Sequence, residues 1–185
     1  MPPAVPASTT IALSKRKLTL LALGCLAFVA IGAFLVASPA TFRDNPFVRD
    51  ERFVRALGVA SVVLFGLFGF YIGQKLLDTT PGLVVGPEGF VDNSSGLAAG
   101  LLPWAEVAGV DELALLGQRF VVVHLRDPAA FIARQPNAFK RRLLATNLSS
   151  YGSPVFLSAN TLQCTHAELK ALLAAGLAGA RAGQR

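Results

Sequence analysis

The sequence predicts an α+β membrane protein: an N-terminal hairpin of two transmembrane helices, then a small antiparallel β-barrel or roll with a helical insert and a C-terminal capping helix. Three observations predict it. Of the 185 residues, 53% are hydrophobic and only 15% are charged, against roughly 25% charged residues in ordinary soluble domains. Two long stretches near the N-terminus carry no charge. The remaining chain contains short runs of β-branched and aromatic residues separated by turn signals.

The first uncharged stretch runs from Leu18 to Ala37 and directly follows the basic cluster Lys15-Arg16-Lys17. A helix of this length, at about 1.5 Å per residue, covers about 30 Å, which is the thickness of the hydrocarbon core of a bilayer. A cleaved signal peptide is one alternative, because Ser38-Pro39-Ala40 partly matches the small-residue pattern of a signal-peptidase cleavage site. A signal peptide, however, has a shorter apolar region of about 7–15 residues. A buried helix of a soluble protein is the other alternative.

The second uncharged stretch, Ala56 to Gln74, follows after one short loop and is ended by Lys75. The lysine stem is long enough to place its ammonium group among the lipid headgroups. We therefore predict spans at about 18–37 and 56–76, which form a transmembrane hairpin over residues 15–77. The two spans explain the low proportion of charged residues in the whole chain.

Glycines in the second span are the candidate helix-packing residues. Gly69 and Gly73 form a GxxxG pair, and Gly66 lies one turn earlier. This spacing lets two helix backbones approach closely. It serves either packing within the hairpin or formation of a homodimer, and the sequence leaves both open.

The distribution of Lys and Arg governs the orientation of such a hairpin. The loop 38–55 contains four of these residues, and the flanks of the hairpin also contain four, at 15–17 and Lys75. Because the compact basic cluster precedes the first span to emerge, we predict that both termini are cytoplasmic, in a bacterial inner (plasma) membrane. The loop, which has phenylalanines among its charges, is expected to lie on the membrane surface.

Residues 78–180 are predicted to form one compact water-facing domain, between the hairpin and a frayed tail at 181–185; residues 1–14 are expected to be a flexible N-terminus. Turn residues separate runs of strand-forming residues. Asp127 and Asn137 are predicted N-caps of two short helices, and Thr165 with Glu168 forms a capping box for the last one. The predicted strands are 83–85, 90–92, 97–102, 107–116, 120–125 and a strand or hairpin within 155–164, and the predicted helices are 128–135, 137–148 and 167–180.

Several motifs of this domain, together with the hairpin, resemble a family of uncharacterised bacterial membrane proteins that is known only by a locus tag. The resemblance extends from Ser14 to about Leu173 and implies a pleckstrin-homology-like domain after a two-helix membrane hairpin. It brings no catalytic residues, because none is established for the family. The helical insert between Arg126 and Gly152 departs from a plain pleckstrin-homology barrel. The motifs are Pro81-Gly82-Leu83, the segment Glu88 to Gly96 (EGFVDNSSG), Pro103-Trp104 and Ser158 to Leu162 (SANTL).

We find no residue pattern typical of an enzyme, a bound cofactor or a metal site. Cys164 and His166 are close in sequence, but two residues apart they are a weak signal for a nucleophile and its base. Metal binding needs three or four ligands at suitable spacing, and the sequence has no such cluster. Neither of the two standard glycine-rich phosphate-binding patterns occurs. The adjacent carboxylates of Asp111 and Glu112 are expected to point apart and stay solvated.

Four basic residues, Arg134, Lys140, Arg141 and Arg142, are the candidate lipid- or partner-binding site. Anionic lipid headgroups attract a basic residue near the surface by about 1 kcal/mol. The alternative is a solvated helix face that keeps the protein soluble. The net charge of +6 is carried mostly by residues 1–77. Nucleic-acid binding is not expected, because the basic run is short and lacks interleaved aromatic residues.

The predicted function is therefore that of a non-enzymatic integral membrane protein. Its pleckstrin-homology-like domain is expected to bind a protein partner, anionic lipid headgroups, or both, at the membrane surface. The alternative is a structural scaffold in which the second span, through its glycines, assembles copies of the chain. An enzyme that acts on lipid or envelope material is a third class.

Overall fold

A computed structural model of the protein describes residues 8–42 and 50–183. The chain forms two compact units. One is the hairpin Lys15–Asp78, and the other combines the residues before Lys15 with those from Thr79 onward. The predicted membrane-surface loop falls partly at positions 43–49, outside the described residues. Residues 1–7 and 184–185, at the two predicted flexible ends, also lie outside them.

The hairpin consists of two long helices, α1 (Lys15–Ala37) and α2 (Glu51–Leu77), and a 3₁₀ turn at Pro39–Phe42 follows α1. Both helices are long and apolar enough to cross a membrane. Helix α2 begins earlier than its uncharged stretch because the carboxylate of Asp50 accepts a hydrogen bond of 2.8 Å from the backbone N–H of Arg52. Such an N-cap satisfies one of the free donors of a helix start. The last residues of the predicted loop therefore belong to the helix.

The two helices of the hairpin pack most closely at Gly32 and Gly58. A Cβ atom added to Gly32 would lie 2.8 Å from the carbonyl oxygen of Gly58, and one added to Gly58 would lie 2.6 Å from that of Gly32. Any side chain at either position would push the helices apart. Nearby, the hydroxyl of Ser61 donates a hydrogen bond of 3.0 Å to the carbonyl of Phe28. The ring of Phe28 stacks on Phe65 with centroids 4.2 Å apart.

The open end of the hairpin is held by Lys15. Its ammonium group donates hydrogen bonds to the backbone carbonyls of Leu76, at 2.7 Å, and Asp78. These carbonyls lie at the C-terminus of α2, where helix carbonyls have no partner within the helix and carry partial negative charge. Lys15, one residue of the predicted basic cluster, thus links the N-terminus of α1 to the C-terminus of α2.

Within its described residues, the second unit contains two antiparallel sheets and three α-helices. The first sheet has the order β1-β2-β3-β4, and the second has the order β5-β6-β7. The strands are β1 (Thr9–Ile11), β2 (Leu83–Val85), β3 (Gly89–Asp92), β4 (Gly100–Pro103), β5 (Val107–Leu115), β6 (Gln118–Leu125) and β7 (Val155–Leu157). The helices are α3 (Pro128–Ala133), α4 (Ala138–Tyr151) and α5 (His166–Ala182).

The sequence predicts a β-barrel or roll, and the structure shows two antiparallel sheets that do not close into a barrel. Between β4 and β5 the chain makes a 3₁₀ turn at Trp104–Glu106. Within the described residues, β4 pairs only with β3, and β5 pairs only with β6. The turn redirects the chain so that these consecutive strands belong to separate sheets. The α+β class and the antiparallel pairing are as predicted.

In the described part of the segment before the hairpin, residues 8–14, Thr9–Ile11 belong to the first sheet, where the sequence predicts a flexible terminus. Strand β1 pairs antiparallel with β2, with Thr9 opposite Val85 and Ile11 opposite Leu83. Leu13 is buried and forms an isolated bridge with Leu162. Of the strand or hairpin predicted within 155–164, the structure has strand β7 at Val155–Leu157 and then a 3₁₀ turn at Ala159–Thr161.

Helix α5 packs its apolar face against the strands of both sheets, and its residues Leu169, Leu173 and Leu177 are buried. The N-caps predicted at Asp127 and Asn137 are present, as is the capping box predicted for α5. Helix α5 continues through Ala182, so the fraying predicted from position 181 is wrong for its described residues. The backbone there is held in helix, and the guanidinium of Arg181 donates a hydrogen bond of 2.6 Å to the carbonyl of Ala108.

Candidate interaction surface

The four predicted basic residues lie around the junction between α3 and α4. Arg134 is the C-cap of α3, and Lys140, Arg141 and Arg142 follow the N-cap of α4. The side-chain oxygen of that cap, Asn137, accepts hydrogen bonds from the backbone N–H groups of Phe139 and Lys140. The local capping therefore fixes where the basic run enters the helix.

Arg134 is engaged within the protein. Its guanidinium donates two hydrogen bonds to the carboxylate of Glu106, one of 2.9 Å from Nη1 to Oε1 and one from Nη2 to Oε2. This charge-assisted pair raises the pKa of Arg134 above its already high ordinary value. The guanidinium also lies 5.2 Å from the ring centroid of Phe131. Arg134 thus ties α3 to the 3₁₀ turn after β4.

Lys140 and Arg141 are also engaged, both with backbone carbonyls. The ammonium group of Lys140 donates a hydrogen bond of 2.7 Å to the carbonyl of Ala98, in the loop before β4. The guanidinium of Arg141 donates one of 2.7 Å to the carbonyl of Gln135, in the link between α3 and α4. Backbone carbonyls need hydrogen-bond donors wherever water is excluded. Lys140 and Arg141 therefore stabilise the backbone of these two loops in addition to carrying positive charge.

Arg142 is different from the other three. Its residue is exposed, and its guanidinium makes no hydrogen bond or ion pair with any residue in the part of the chain that the structure describes. The predicted site thus consists of three cations committed to internal contacts and one that projects freely into solvent.

A second concave surface lies beside Trp104, a residue of the Pro103-Trp104 motif. The indole N–H of Trp104 donates a hydrogen bond of 2.9 Å to the carbonyl of Gly86, and the residue is buried. The cleft beside it has a volume of about 420 Å³, and Arg126 and Arg181 contribute to its lining. Arg126 is exposed, so this cleft presents positive charge next to an aromatic wall.

A charged network around Glu112 was missed from the sequence. Its carboxylate accepts hydrogen bonds from Arg119, at 2.7 Å, and from Lys170, at 3.1 Å. These two hydrogen bonds lower the pKa of Glu112 to about 2. The network links the β5–β6 hairpin to α5. No local signal could have found it, because Lys170 is far from Glu112 in sequence.

The two histidines each lie near a carboxylate. Nε2 of His124 is 3.1 Å from Asp111, and Nε2 of His166 is 3.4 Å from Glu112. Both ring nitrogens of His166 are buried and have no hydrogen-bond partner in the described part of the chain. His166, which lies two residues after Cys164 in the sequence, is thus placed beside Glu112. Among the described residues, no group of three or more His, Cys, Asp or Glu side chains is arranged to hold a metal ion.

The motif Glu88 to Gly96 (EGFVDNSSG) contains a buried carboxylate, Asp92, that holds a loop in place. The carboxylate of Asp92 accepts hydrogen bonds from the backbone N–H and the hydroxyl of Ser94 and from the backbone N–H of Ala99. Asp92 is buried, and these donors satisfy its charge. The carboxylate therefore fixes the loop between β3 and β4.

The predicted packing glycines differ in their contact with α1. A Cβ atom at Gly69 would lie 3.4 Å from Cβ of Cys25, so Gly69 faces α1. A Cβ atom at Gly66 or Gly73 would meet no atom of the described residues within 4 Å, so these two glycines lie beside that contact and take no part in it. The closest helix contact uses Gly58, described above, which sequence reasoning missed. One glycine near the loop end of each span is the signal that could have found it.

Comparisons of this chain with protein-family models, with curated proteins and with solved structures found no match.

Proposed function

We propose that this chain is a non-enzymatic integral membrane protein whose water-facing unit is a pleckstrin-homology-like domain that binds a protein partner, an anionic lipid, or both, at the membrane surface. The exposure of α1 and α2 carries the proposal. Only 6% of the most apolar stretch of α1 and 11% of that of α2 is buried. A core helix of a soluble protein is mostly covered, whereas a contiguous apolar surface of this size is stable in hydrocarbon.

Two contacts favour α1 as a permanent span over a cleaved signal peptide. Cleavage after Ala40 would remove β1, which is hydrogen-bonded to β2. It would also remove Gly32, which packs on Gly58. A signal peptide has no such partners in the mature protein, so the packing supports a retained hairpin.

The pairing of β1 with β2 also bears on topology. These strands lie immediately before α1 and after α2 in the chain, so a membrane crossed by both helices has the two strands on one side. We place that side in the cytoplasm of a bacterium, because the basic cluster 15–17 precedes the first span. A reporter that works only in the cytoplasm, fused after Arg185, tests this orientation.

The proposal of a pleckstrin-homology-like domain is supported by the order of its elements. Antiparallel strands throughout the unit are followed by one C-terminal helix that packs on both sheets. Helices α3 and α4 are inserted before the last strand. This arrangement agrees with the domain that the sequence motifs resemble, apart from the insert and the open sheets.

A binding role is favoured by how the polar groups of the domain are used. Asp92, Glu112 and Arg134 are all engaged in internal hydrogen bonds, as expected for groups that stabilise a scaffold. Arg126 and Arg142 are exposed cations of the domain, and their guanidinium groups make no hydrogen bond or ion pair with the described residues. Each such charge near an anionic surface attracts it by about 1 kcal/mol, which suits a weak contact made by a tethered domain.

The membrane part of the proposal is tested by alkaline carbonate extraction of membranes from cells that express the full chain. We expect the chain to remain in the membrane pellet, and release into the supernatant would contradict integral insertion.

The lipid part is tested with the full chain in nanodiscs that contain a photoactivatable anionic lipid. Changing both Arg126→Gln and Arg142→Gln should reduce labelling of the domain without changing its thermal midpoint. A neutral photoactivatable lipid is the matched control. Unchanged labelling by the anionic lipid would refute the lipid version and leave a protein partner as the proposal.

A scaffold is the second candidate function, and two glycines of α2 favour it. Gly66 and Gly73 have no neighbour among the described residues within 4 Å of an added Cβ atom, and small residues on an exposed helix surface let a second helix approach. We propose on this basis that copies of the chain can assemble through these two glycines.

A further inference from the structure

The turn between β5 and β6 contains a residue that folding alone does not explain. Leu116 is 94% exposed, the highest value among the exposed large hydrophobic residues of the described chain. It is also the only non-glycine residue with a positive φ in the described chain, with φ of 51°. The sequence predicts that the strand continues through Leu116 and turns at Gly117-Gln118. In the structure β5 ends at Leu115, and Leu116 with Gly117 forms the turn.

The positive φ at position 116 favours residues other than leucine. Gly117 also has a positive φ, of 75°, and two consecutive positive φ values are the signature of a two-residue type I′ hairpin turn. Asn-Gly is the preferred sequence there, because asparagine tolerates the left-handed region and leucine does not. Leu116 therefore strains the backbone and gains no packing within the domain. A strained residue whose side chain makes no stabilising contact in the fold indicates a contact with another molecule.

We define the tip of the β5–β6 hairpin as residues 114–117. Side-chain contacts on the strands next to the tip hold it in place. Arg119 on β6 donates to Glu112 on β5, at 2.7 Å. The side-chain amide of Asn160 donates a hydrogen bond of 2.6 Å to the side-chain oxygen of Gln118. The ring of Phe120 packs edge-on against another aromatic ring of the second sheet. A braced tip loses little conformational entropy when it binds.

We propose that this tip inserts Leu116 into the interfacial layer of the lipid bilayer that anchors the chain. The inference rests on the proposed membrane function. Residues 113–118 carry no charge. The next residue, Arg119, pairs with Glu112, and its side chain remains 61% exposed. An uncharged tip with an apolar side chain suits the interfacial layer, where the acyl chains begin.

The size of the tip favours lipid over a protein partner. A stable protein interface buries about 1,600 Å², which one leucine and its small neighbours do not supply. A bilayer needs no such area, because the domain is joined to α1 by residues 12–14 and to α2 by residues 78–82. These short links keep the local concentration of lipid high, so a weak contact forms as an intramolecular event.

The test uses the full chain with Cys25→Ser and Cys164→Ser, reconstituted in vesicles of phosphatidylcholine and phosphatidylglycerol. A fluorophore sensitive to polarity is attached at Ala114→Cys, which is exposed in the tip. We expect blue-shifted emission that is quenched by spin-labelled lipid. The same label at Ser150→Cys, on the exposed surface of α4, is the matched control and should remain unquenched.

The decisive variant adds Leu116→Asn to the Ala114-labelled chain. Asparagine suits the turn better, so the thermal midpoint should hold or rise while the quenching by lipid is lost. Retained quenching would overturn the proposal, as would a blue shift without lipid quenching, which indicates a protein contact. If the chain fails to float with the vesicles, the membrane function and the tip proposal fall together. If it floats while the label stays in water, the tip proposal alone is wrong.

Discussion

A cysteine at Gly69 should form a disulfide with the natural Cys25 within one chain. A Cβ atom at Gly69 would lie 3.4 Å from Cβ of Cys25, just below the range of about 3.5–4.5 Å found in disulfides. Bond formation therefore requires a shift of only a few tenths of an ångström. We expect Gly69→Cys, in a Cys164→Ser background, to give a fast-migrating monomer on a non-reducing gel after oxidation in membranes.

Two matched variants control for random collision in the bilayer. Gly66→Cys and Gly73→Cys place the thiol where nothing lies within 4 Å, so neither should form the bond within the chain. If copies of the chain assemble through Gly66 and Gly73, these two variants should instead give a crosslinked dimer. Equal intrachain yields at all three positions, or none at Gly69, would refute the packing described for the hairpin.

The same crosslink measures the closest helix contact. Gly58→Ala places a Cβ atom 2.6 Å from the carbonyl oxygen of Gly32, so α1 and α2 must separate. Overpacking of this kind costs about 1–3 kcal/mol, and the yield of the Gly69→Cys crosslink should fall. Gly66→Ala, which changes the same residue type in the same helix without a clash, should leave the yield unchanged.

Two further predictions concern the unit that contains the two sheets. Gly176→Ala should destabilise it by about 1–2 kcal/mol, because a Cβ atom there would lie 2.4 Å from the buried ring of Trp104 and the overpacking cost exceeds the gain in helix propensity; an unchanged or raised thermal midpoint would contradict this. Glu112→Gln should flatten the loss of stability in acid. The hydrogen bonds from Arg119 and Lys170 lower the pKa of Glu112 from 4.5 to about 2, so its stabilising effect is complete above pH 4.5 and fades as the pH falls towards 2. Thermal midpoints of the parent and variant over that range check it, and parallel curves would refute it.

The features that the sequence predicts correctly are those with local causes. Asp127, Asn137 and Thr165 cap helices because their side chains reach backbone donors two or three residues ahead. The length and apolar character of the two spans are likewise properties of continuous stretches. Such signals can be interpreted without knowing which distant residues are neighbours.

The errors have non-local causes. The pairing that makes β1 a strand joins Thr9 to Val85, across the whole hairpin, so residues 1–14 carried no sign of it. The barrel failed to close because the chain turns at Trp104–Glu106, and strand-forming runs on either side do not reveal that their strands separate. In both cases the sequence pattern predicts extended chain but not its partner.

The candidate basic site shows the same division. The sequence places Lys140, Arg141 and Arg142 in one run, and helix capping fixes where the run begins. Only the fold brings Ala98 to Lys140 and Glu106 to Arg134. Charge is a property of the residue, whereas the freedom of that charge to bind a ligand depends on which carbonyls and carboxylates lie within hydrogen-bonding distance.

By itself, therefore, the sequence determined that two apolar helices precede an α+β unit, because hydrophobicity and capping act over a few residues. The tertiary structure decided which glycines hold the hairpin together, which cations remain exposed and which leucine projects from the domain. Those outcomes depend on contacts between residues far apart in the chain, and only the folded backbone determines the distances between them.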